Sequence, residues 1–424
     1  MRILFISNNF PPEVNAPATR VYEHARQWVQ DGHEVEVLTS APHFPEGYVY
    51  DGYENAFATE AVDGIKVTRV PMYVSPNEGI FRRTLSFVTF MLSTRWFARR
   101  LQQKPDVVVA TSPQFFAGVA GYLMSRYQRV PFVLEIRDLW PESVVAVGAM
   151  PRNAVIRFFE RIERFLYEKA DHIVVVTNAF KRFITQKGID PGKITVLKNG
   201  ADLGVWEEAL DTDRIEALRR QHGLAGKFVA SYIGTIGMAH RVDVMMEAAQ
   251  QCTDPDVVFM VIGTGSEREK LEARQAELQL PNVRLLEKVT KDEVRYLLAL
   301  TDVSVVHLRA SPLFKTVIPS KIFEAMATRT PIVLGVEGET REIIEEADAG
   351  IPIRPEQADE LVEAVLRLKN HTGLYARMAE SGYRHVQTHY DRSKLARCYA
   401  VLLERVCGRS ESFTPSKVEA IKAV

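Results

Sequence analysis

Short apolar runs alternate with stretches of helical spacing along almost the whole chain. Ile3 to Ile6, Val35 to Leu38, Ile65 to Val70, Val107 to Ala110, Phe132 to Ile136 and Ile173 to Val176 are compact and rich in β-branched residues. Runs that are apolar at every position, rather than at every second one, suit strands covered on both faces, as in a parallel sheet. Amphipathic patterns such as Thr19 to Val29 lie between them, and Asn8 to Ala18 reads as a proline-broken loop. A second series follows at Val229 to Ile233, Val257 to Ile262, Val283 to Leu286, Val303 to Val306 and Pro331 to Leu334. This alternation predicts an α/β chain of two Rossmann-like domains, each a doubly wound parallel sheet. Between the two series, a short strand at Ile194 to Leu197, a turn at Asn199 and Gly200 and a polar stretch reaching Asp213 read as a connector. The expected division is residues 1–199, residues 200–385, and a C-terminal helix and tail over 386–424 that crosses back to the first domain. The domains are expected to face each other across a cleft, with ligand bound there at the carboxyl ends of the strands.

Composition narrows the class. At 424 residues the chain exceeds one ordinary core, which agrees with two domains. A net charge of −1 gives no bias towards nucleic acid, and 46% hydrophobic with 25% charged residues is the balance of a soluble globular protein. Three cysteines, Cys252, Cys398 and Cys407, are too few and too scattered for a disulfide framework or a zinc site, which suits a reducing cytoplasm. The start, MRILFISNNF, runs straight into a strand, so no signal peptide is expected. No apolar run approaches the length needed to span a bilayer.

Candidate chemistry concentrates in Leu313 to Gly335, LFKTVIPSKIFEAMATRTPIVLG. Ser311 and Pro312 break the apolar run before it. Pro319 and Ser320 form a helix start with Ser320 as N-cap, Ile322, Phe323, Ala325 and Met326 make the core side, and Thr330 and Pro331 stop the helix. Glu324 and Lys321 are its charged groups. A cation in the first turn opposes the helix dipole unless an anion is bound nearby, which makes Lys321 a candidate ligand.

EAMATRTPIVLG resembles the EAMAxGxPVV segment of the family 4 glycosyltransferases, a large retaining group with the two-domain GT-B fold. In that family the glutamate opening EAMA is the second of an E-x7-E pair and contacts the donor ribose. Here it is Glu324, and Thr316 stands where the first glutamate would be. PSKIFEAMA is similar to the P-x-K-x-x-E form of a branch of bacterial surface-polysaccharide transferases, some of which act on amino-deoxy sugars. FPPEVNAPATR, Phe10 to Arg20, resembles the family's first loop, FPPxxGGxxxR, with Asn15 and Ala16 replacing the glycines that approach the donor phosphates. LKNGAD, Leu197 to Asp202, resembles the interdomain PNGVD, and IGTG with Glu267 resembles the GxGxE turn, bringing in Gly263 and Gly265. YIGTIGMAHRVD, Tyr232 to Asp243, takes the place of the VGR…KG segment that supplies an arginine and a lysine to the diphosphate. Gly234 and Gly237 remain, Thr235 stands for the arginine, and His240 and Arg241 fall where lysine and glycine usually lie.

Taken singly, glycines such as Gly234, Gly263 and Gly265 are simple strand-to-helix turns more often than phosphate loops; several at successive strand ends favour the loops. LEIRDLWPES, Leu134 to Ser143, puts Arg137 and Asp138 just past a strand, where many family members carry a histidine and an aspartate against the sugar or acceptor. A structural pair capping the next turn is the alternative. His43, in SAPHFPEG, reads as a solvated loop histidine and a weaker candidate. Asp211 and Asp213 sit in the polar connector and read as solvated surface, and His385 and His389 have i, i+4 spacing without the HExxH glutamate, so no metal site is expected. P-loop, GxSxG and GxGxxG signatures are absent.

Phe81 to Lys104 mixes Phe87, Phe90, Met91, Trp96 and Phe97 with Arg82, Arg83, Arg95, Arg99 and Arg100, the composition of a helix lying at a membrane interface. A helix covering the first sheet with its arginines in water is the equal alternative. Arg157, Arg161 and Arg164 extend the same basic patch. The resemblance implies a metal-independent retaining glycosyltransferase without a cofactor, using a nucleotide diphosphate-sugar donor, UDP-linked, and a lipid-linked or glycan acceptor in surface polysaccharide synthesis. Such an enzyme would be cytoplasmic, or peripheral at the inner face of the cell membrane. The first domain would hold the acceptor and the second the donor. Glu324 would accept the ribose hydroxyls. The backbone at Ile318, Pro319 and Ser320 and the Lys321 side chain would hold phosphate, with Gly234, Thr235, Arg241, Gly263 and, from the first loop, Asn15 and Ala16 around it. Asp138 and Arg137 would position the acceptor or the sugar, and domain closure would assemble the site. Three other readings stay open here: a nucleotide-sugar 2-epimerase of the same fold, a nicotinamide-dependent oxidoreductase disfavoured by the missing dinucleotide fingerprint, and a non-catalytic binding protein that kept the fold.

Overall fold

Continuous burial marks the central strands: neither VVVAT at Val107–Thr111 nor VVFMVI at Val257–Ile262 has an exposed position. They belong to different sheets in a computed structural model that describes residues 1–44, 47–75, 80–101, 103–112, 115–146, 150–287 and 291–409. The chain divides into two units, Met1–Asn199 with the described chain from Arg392 onward, and Gly200–Asp391.

In chain order the first unit opens with β1 (Arg2–Ile6), α1 (Ala16–Gln30), β2 (Glu34–Ser40), β3 (Ala58–Val62), β4 (Ile65–Val70), α2 (Ile80–Phe97) and β5 (Val107–Thr111). It continues with α3 (Phe115–Gln128), β6 (Phe132–Ile136), α4 (Glu142–Ala146), α5 (Ala154–Lys169), β7 (His172–Val175), α6 (Asn178–Gln186) and β8 (Ile194–Val196). The strands lie in the order β3-β4-β2-β1-β5-β6-β7-β8. Ile3 of β1 pairs with Val35 on one side and Val107 on the other, both parallel. Only β3 runs antiparallel, against β4. Its sequence, ATEAV, is largely exposed, because an edge strand needs little apolar content, and so it leaves no hydrophobic run to read.

Two expectations change here. The first helix begins at Ala16 rather than Thr19, because Asn15 caps it by accepting from the Ala18 amide at 2.8 Å and Pro17 sits in the first turn, where a missing N–H breaks no helical bond. The helix expected over Phe81 to Lys104 ends at Phe97. One side of it buries Phe90 and Phe97 in the core over the sheet, and the other side faces water.

The second unit contains α7 (Leu203–Trp206), α8 (Thr212–Gln221), β9 (Phe228–Ile233), α9 (Val244–Gln251), β10 (Val257–Ile262), α10 (Arg268–Leu278), β11 (Val283–Leu286) and α11 (Lys291–Ala299). After these come β12 (Val303–His307), α12 (Lys321–Ala327), β13 (Ile332–Gly335), α13 (Glu339–Ala347), β14 (Gly350–Pro352), α14 (Ala358–Asn370) and α15 (Thr372–His389). Its parallel sheet has the order β11-β10-β9-β12-β13-β14. The chain then returns to the first unit as α16 (Arg392–Val406).

Side-chain roles differ from two further expectations. Ser320 has helical φ and ψ and makes no side-chain cap bond, so it is not the N-cap of α12 in the sense expected. Asp211 is no idle surface carboxylate: it caps α8 by accepting from the amides of Asp213 at 2.9 Å and Arg214 at 3.3 Å. Among the described residues no helix is long and apolar enough to cross a membrane.

Candidate active site

The carboxyl ends of β9, β10 and β12 deliver three loops to one edge of the second sheet. Gly234 and Gly263 follow β9 and β10 and both have left-handed φ, +139° and +136°. A Cβ on Gly263 would lie 2.0 Å from the Gly234 carbonyl oxygen, so the two loops touch backbone to backbone. The Ile236 amide donates to Thr264 O at 2.9 Å, and the Glu267 amide to Ile236 O at 3.0 Å, which fixes that stacking.

Lys321 opens α12 and reaches back to this loop pair. Its Nζ lies 3.7 Å from the centre of the Tyr232 ring and against Gly234. The nitrogen is sealed from solvent and has no hydrogen-bond partner among the described residues. Burial of the ammonium lowers its pKa to about 7, with Glu324 one turn along the helix pulling the other way. Tyr232 is itself held by donating its hydroxyl to Thr235 O at 2.7 Å. Thr235 is exposed, and the Ile318 side chain is buried next to half-buried Pro319 and Ser320. Thr316 donates its hydroxyl to Leu313 O at 2.6 Å, a local turn bond that leaves it unlike the carboxylate it replaces.

Two histidines stand around this point. Burial, then repulsion from Lys321, lowers the pKa of His240 to about 4, and its Nδ1 has no partner among the described residues. His307 is also lowered, chiefly by burial. Its Nδ1 donates to His240 O at 2.9 Å while its Nε2 accepts from the Glu356 amide at 2.8 Å, which fixes the neutral tautomer. Both histidines are thus biased to their neutral forms, while Lys321, with a pKa of about 7, is poised to take up a proton when an anion binds.

Arg241, expected around the diphosphate, is held in two ion pairs. Its guanidinium sits 2.7 Å from Asp243 and 3.2 Å from Glu356, and its φ is +47°. Glu356 in turn accepts from the Ala310 amide at 2.8 Å. Two carboxylates neutralise Arg241, so any anion there competes with both. His307 and Glu356 carry no sequence motif, and sequence reasoning missed them; Tyr232 opens the YIGTIGMAHRVD segment but was given no role there. A cavity of about 610 Å³ opens beside this loop, bounded by Gly237, Arg241, Glu267, Lys270 and Arg309.

In the first unit, Arg137 and Asp138 follow β6. Arg137 donates through Nε to Ser112 O at 3.0 Å and lies 4.0 Å from Glu135; burial pulls its pKa down to about 10. Burial raises the pKa of Asp138, which accepts from Ser143 Oγ at 3.0 Å. Asn15 is occupied as the cap of α1, and Ala16 is exposed beside it. His43 is not solvated: its ring is buried and lies 2.9 Å from Ala41 O, and its amide donates to Glu13 at 2.9 Å. Glu13 also accepts from the Phe44 amide and from Asn9, so these residues form a structural knot beneath the loop.

Two doubly wound units with glycine loops at a strand edge are the architecture of the GT-B glycosyltransferases. The Glycosyl transferase 4-like domain family matches residues 15–200, and the Glycosyl transferases group 1 family matches residues 214–385. This chain belongs to family 4 of the glycosyltransferases. It is 24% identical over 393 residues to the putative colanic acid biosynthesis glycosyl transferase WcaI of Escherichia coli K12, covering 90% of this chain and 96% of WcaI. It is 25% identical over 298 residues to the Escherichia coli UDP-Gal:alpha-D-GlcNAc-diphosphoundecaprenol alpha-1,3-galactosyltransferase, covering 68% and 72% of the two chains. The crystal structure of Anabaena HepE in complex with UDP-glucose superposes with a TM-score of 0.70 at 19% identity, covering 96% of this chain and 100% of that one.

Proposed function

We propose that the protein is a retaining glycosyltransferase that takes a sugar from a UDP-sugar and passes it to a lipid-linked or glycan acceptor in surface polysaccharide synthesis. The observation that carries the donor side is the Lys321 amine, sealed at the strand edge with no hydrogen-bond partner among the described residues and with Glu324 acting on it only through space. A pyrophosphate oxygen would supply the missing hydrogen-bond acceptor. As the bond from sugar to phosphate breaks, negative charge grows on the leaving diphosphate, and a fixed ammonium in a dry site favours that state over the intact donor. Glu324 is assigned to the ribose hydroxyls, with the backbone of Ile318 to Ser320, Gly234, Thr235 and Gly263 around the phosphates. Arg241 adds less than its charge suggests, because Asp243 and Glu356 hold it. Asp138 and Arg137 are assigned to the acceptor or the transferred sugar, and Asn15 and Ala16 to the donor phosphates.

The named relatives support the finer parts of this reading. HepE was solved with UDP-glucose, the galactosyltransferase is named for a UDP-linked donor and an acceptor on diphosphoundecaprenol, and WcaI is named for colanic acid synthesis. Retention of anomeric configuration follows the family resemblance. Neither a divalent ion nor a cofactor is required in this scheme, since the lysine does the electrostatic work of an ion. The site of action is the cytoplasm or the inner face of the cell membrane.

Titration with UDP, GDP and ADP tests the assignment. UDP should bind most tightly, and Lys321→Met should weaken it at least ten-fold, since charge-assisted hydrogen bonds contribute about 1.5–3 kcal/mol each. Equal affinity in parent and variant would place the diphosphate elsewhere. Transfer measured in excess chelator should match transfer in magnesium; restoration by the metal alone would remove Lys321 from its role.

A further inference from the structure

The helices that cover one face of the first sheet present an unusual outer surface. On α2, Leu85, Leu92 and Trp96 recur at helical spacing on the side away from buried Phe90 and Thr94, and Leu92 is 58% exposed. Arg82 lies before this stripe and Arg99 and Arg100 after it, all exposed. From Ile80 to Gln128, through α3, the sequence holds one acidic residue, Asp106. On α5, Ile156, Phe159 and Leu166 are buried, while Val155, Phe158 and Phe165 stay exposed, Phe158 by 54%. Arg157, Arg161 and Arg164 flank them in water.

Ring contacts join the two stripes through α3. Arg95 of α2 lies 5.1 Å over the Tyr127 ring, and Phe165 of α5 meets Tyr122 at 5.1 Å between centroids. Exposed aromatic and aliphatic groups thus run from α2 across α3 to α5 with arginines at their margins. Of that margin, the acids of α5 neutralise only Arg164. Glu163 is buried against Lys187, Glu160 lies 3.8 Å from Arg152, and Glu168 pairs with Arg164. Arg82, Arg99, Arg157 and Arg161 have no carboxylate partner among the described residues.

We infer that α2, α3 and α5 form a docking surface for an anionic lipid bilayer, with Leu92, Trp96 and Phe158 entering the interface and the arginines reaching lipid phosphates. Charge decides the occupant: a cationic apolar face fits an anionic surface that also has an apolar layer beneath it. On this inference α2 has two working sides, with Phe90 and Phe97 in the core and Leu92 and Trp96 towards lipid. The inference is separate from the donor site, since none of these residues was assigned to it.

Sedimentation with phosphatidylglycerol–phosphatidylethanolamine vesicles, against phosphatidylcholine vesicles, tests it in the full chain. The parent should pellet with the anionic vesicles and much less with the neutral ones. A variant combining Arg82→Gln, Arg99→Gln, Arg157→Gln and Arg161→Gln should lose roughly 600-fold in partitioning, at about five-fold per arginine. Leu92→Ser with Phe158→Ser should weaken it too, and UDP affinity and thermal midpoint should stay unchanged in both variants. Parent protein that ignores anionic vesicles, or arginine variants that bind as well as the parent, would overturn the inference. So would self-association of the parent that the same variants abolish without any vesicle binding, which would make the face a protein contact.

Discussion

The ammonium of Lys321 fills the space that a side chain on residue 234 would need: a Cβ there would lie 2.6 Å from its Nζ. The glycine and the lysine are therefore one device. Gly234→Ala should displace the amine from Tyr232 and strain a backbone at φ +139°, costing about 1–3 kcal/mol of stability. UDP affinity should fall more than ten-fold. Gly237→Ala is the control, because a Cβ there meets nothing closer than 3.6 Å. Equal UDP affinity in the two variants, measured by calorimetry, would separate the glycine from the lysine's function.

Binding of a diphosphate should change the protonation of Lys321. In the free protein its pKa is near 7 against an ordinary 10.5. Between these values the unfolded chain binds the extra proton, so the lysine's contribution to stability rises as pH rises through that window. A bound anion favours the ammonium and raises the pKa again, so UDP binding at pH 8 should take up a proton and weaken as pH climbs further. Calorimetry in buffers of different ionisation enthalpy reads this directly. Buffer-independent heats, or the same uptake in Lys321→Met, would locate the proton elsewhere.

Glu324 and Thr316 should differ. Glu324→Ala removes charge-assisted bonds to the ribose, about 1.5–3 kcal/mol each, and should weaken donor binding at least ten-fold with the fold intact. Thr316→Ala removes only a turn bond to Leu313 and should leave affinity within two- to three-fold, by about 0.5 kcal/mol. Similar small effects from both would make Glu324 a helix-surface charge.

Arg20 supports the first unit from inside. It meets Glu135 at 3.2 Å with both side chains buried, and also holds Leu197 O, Lys198 O and Asn199 Oδ1 at the end of β8. Arg20→Met leaves the carboxylate buried without its main partner and should destabilise by about 3–5 kcal/mol. Adding Glu135→Gln should recover part of that loss in a denaturant titration. No recovery would mean that the bonds to residues 197–199 carry the effect.

How much of this was legible follows from what each feature depends on. Strands such as Val257–Ile262 show in the sequence because burial on both faces demands an apolar residue at every position. Lys321 and Glu324 show because they lie within one short motif. Edge strand β3 and the three-residue β14, with its glycine and proline, leave no such trace. The start of α1 was hidden by Pro17, which reads as a breaker and acts as a first-turn residue. The partners of His307 lie 67 residues before it, at His240, and 49 after it, at Glu356, so only the fold reveals them. The ion pair of Arg241 with Glu356 was out of reach for the same reason, since Glu356 is distant in the chain.

Trp28, fully buried in the first unit, donates its indole N–H to Ala396 O at 2.7 Å and packs against Tyr399 at 5.3 Å between ring centroids. Leu395 and Leu403 of α16 complete the same core. The beginning of this protein is thus finished by its last described helix, while the second unit is one uninterrupted segment. On the ribosome the order of closure runs opposite to the order of synthesis: the later unit has all its residues when Asp391 emerges, and the earlier one must wait for α16. Nascent chains arrested with Asp391 exposed should resist protease across residues 200–391 and remain cleavable around α1, and protection of α1 should appear only once Val406 has cleared the exit.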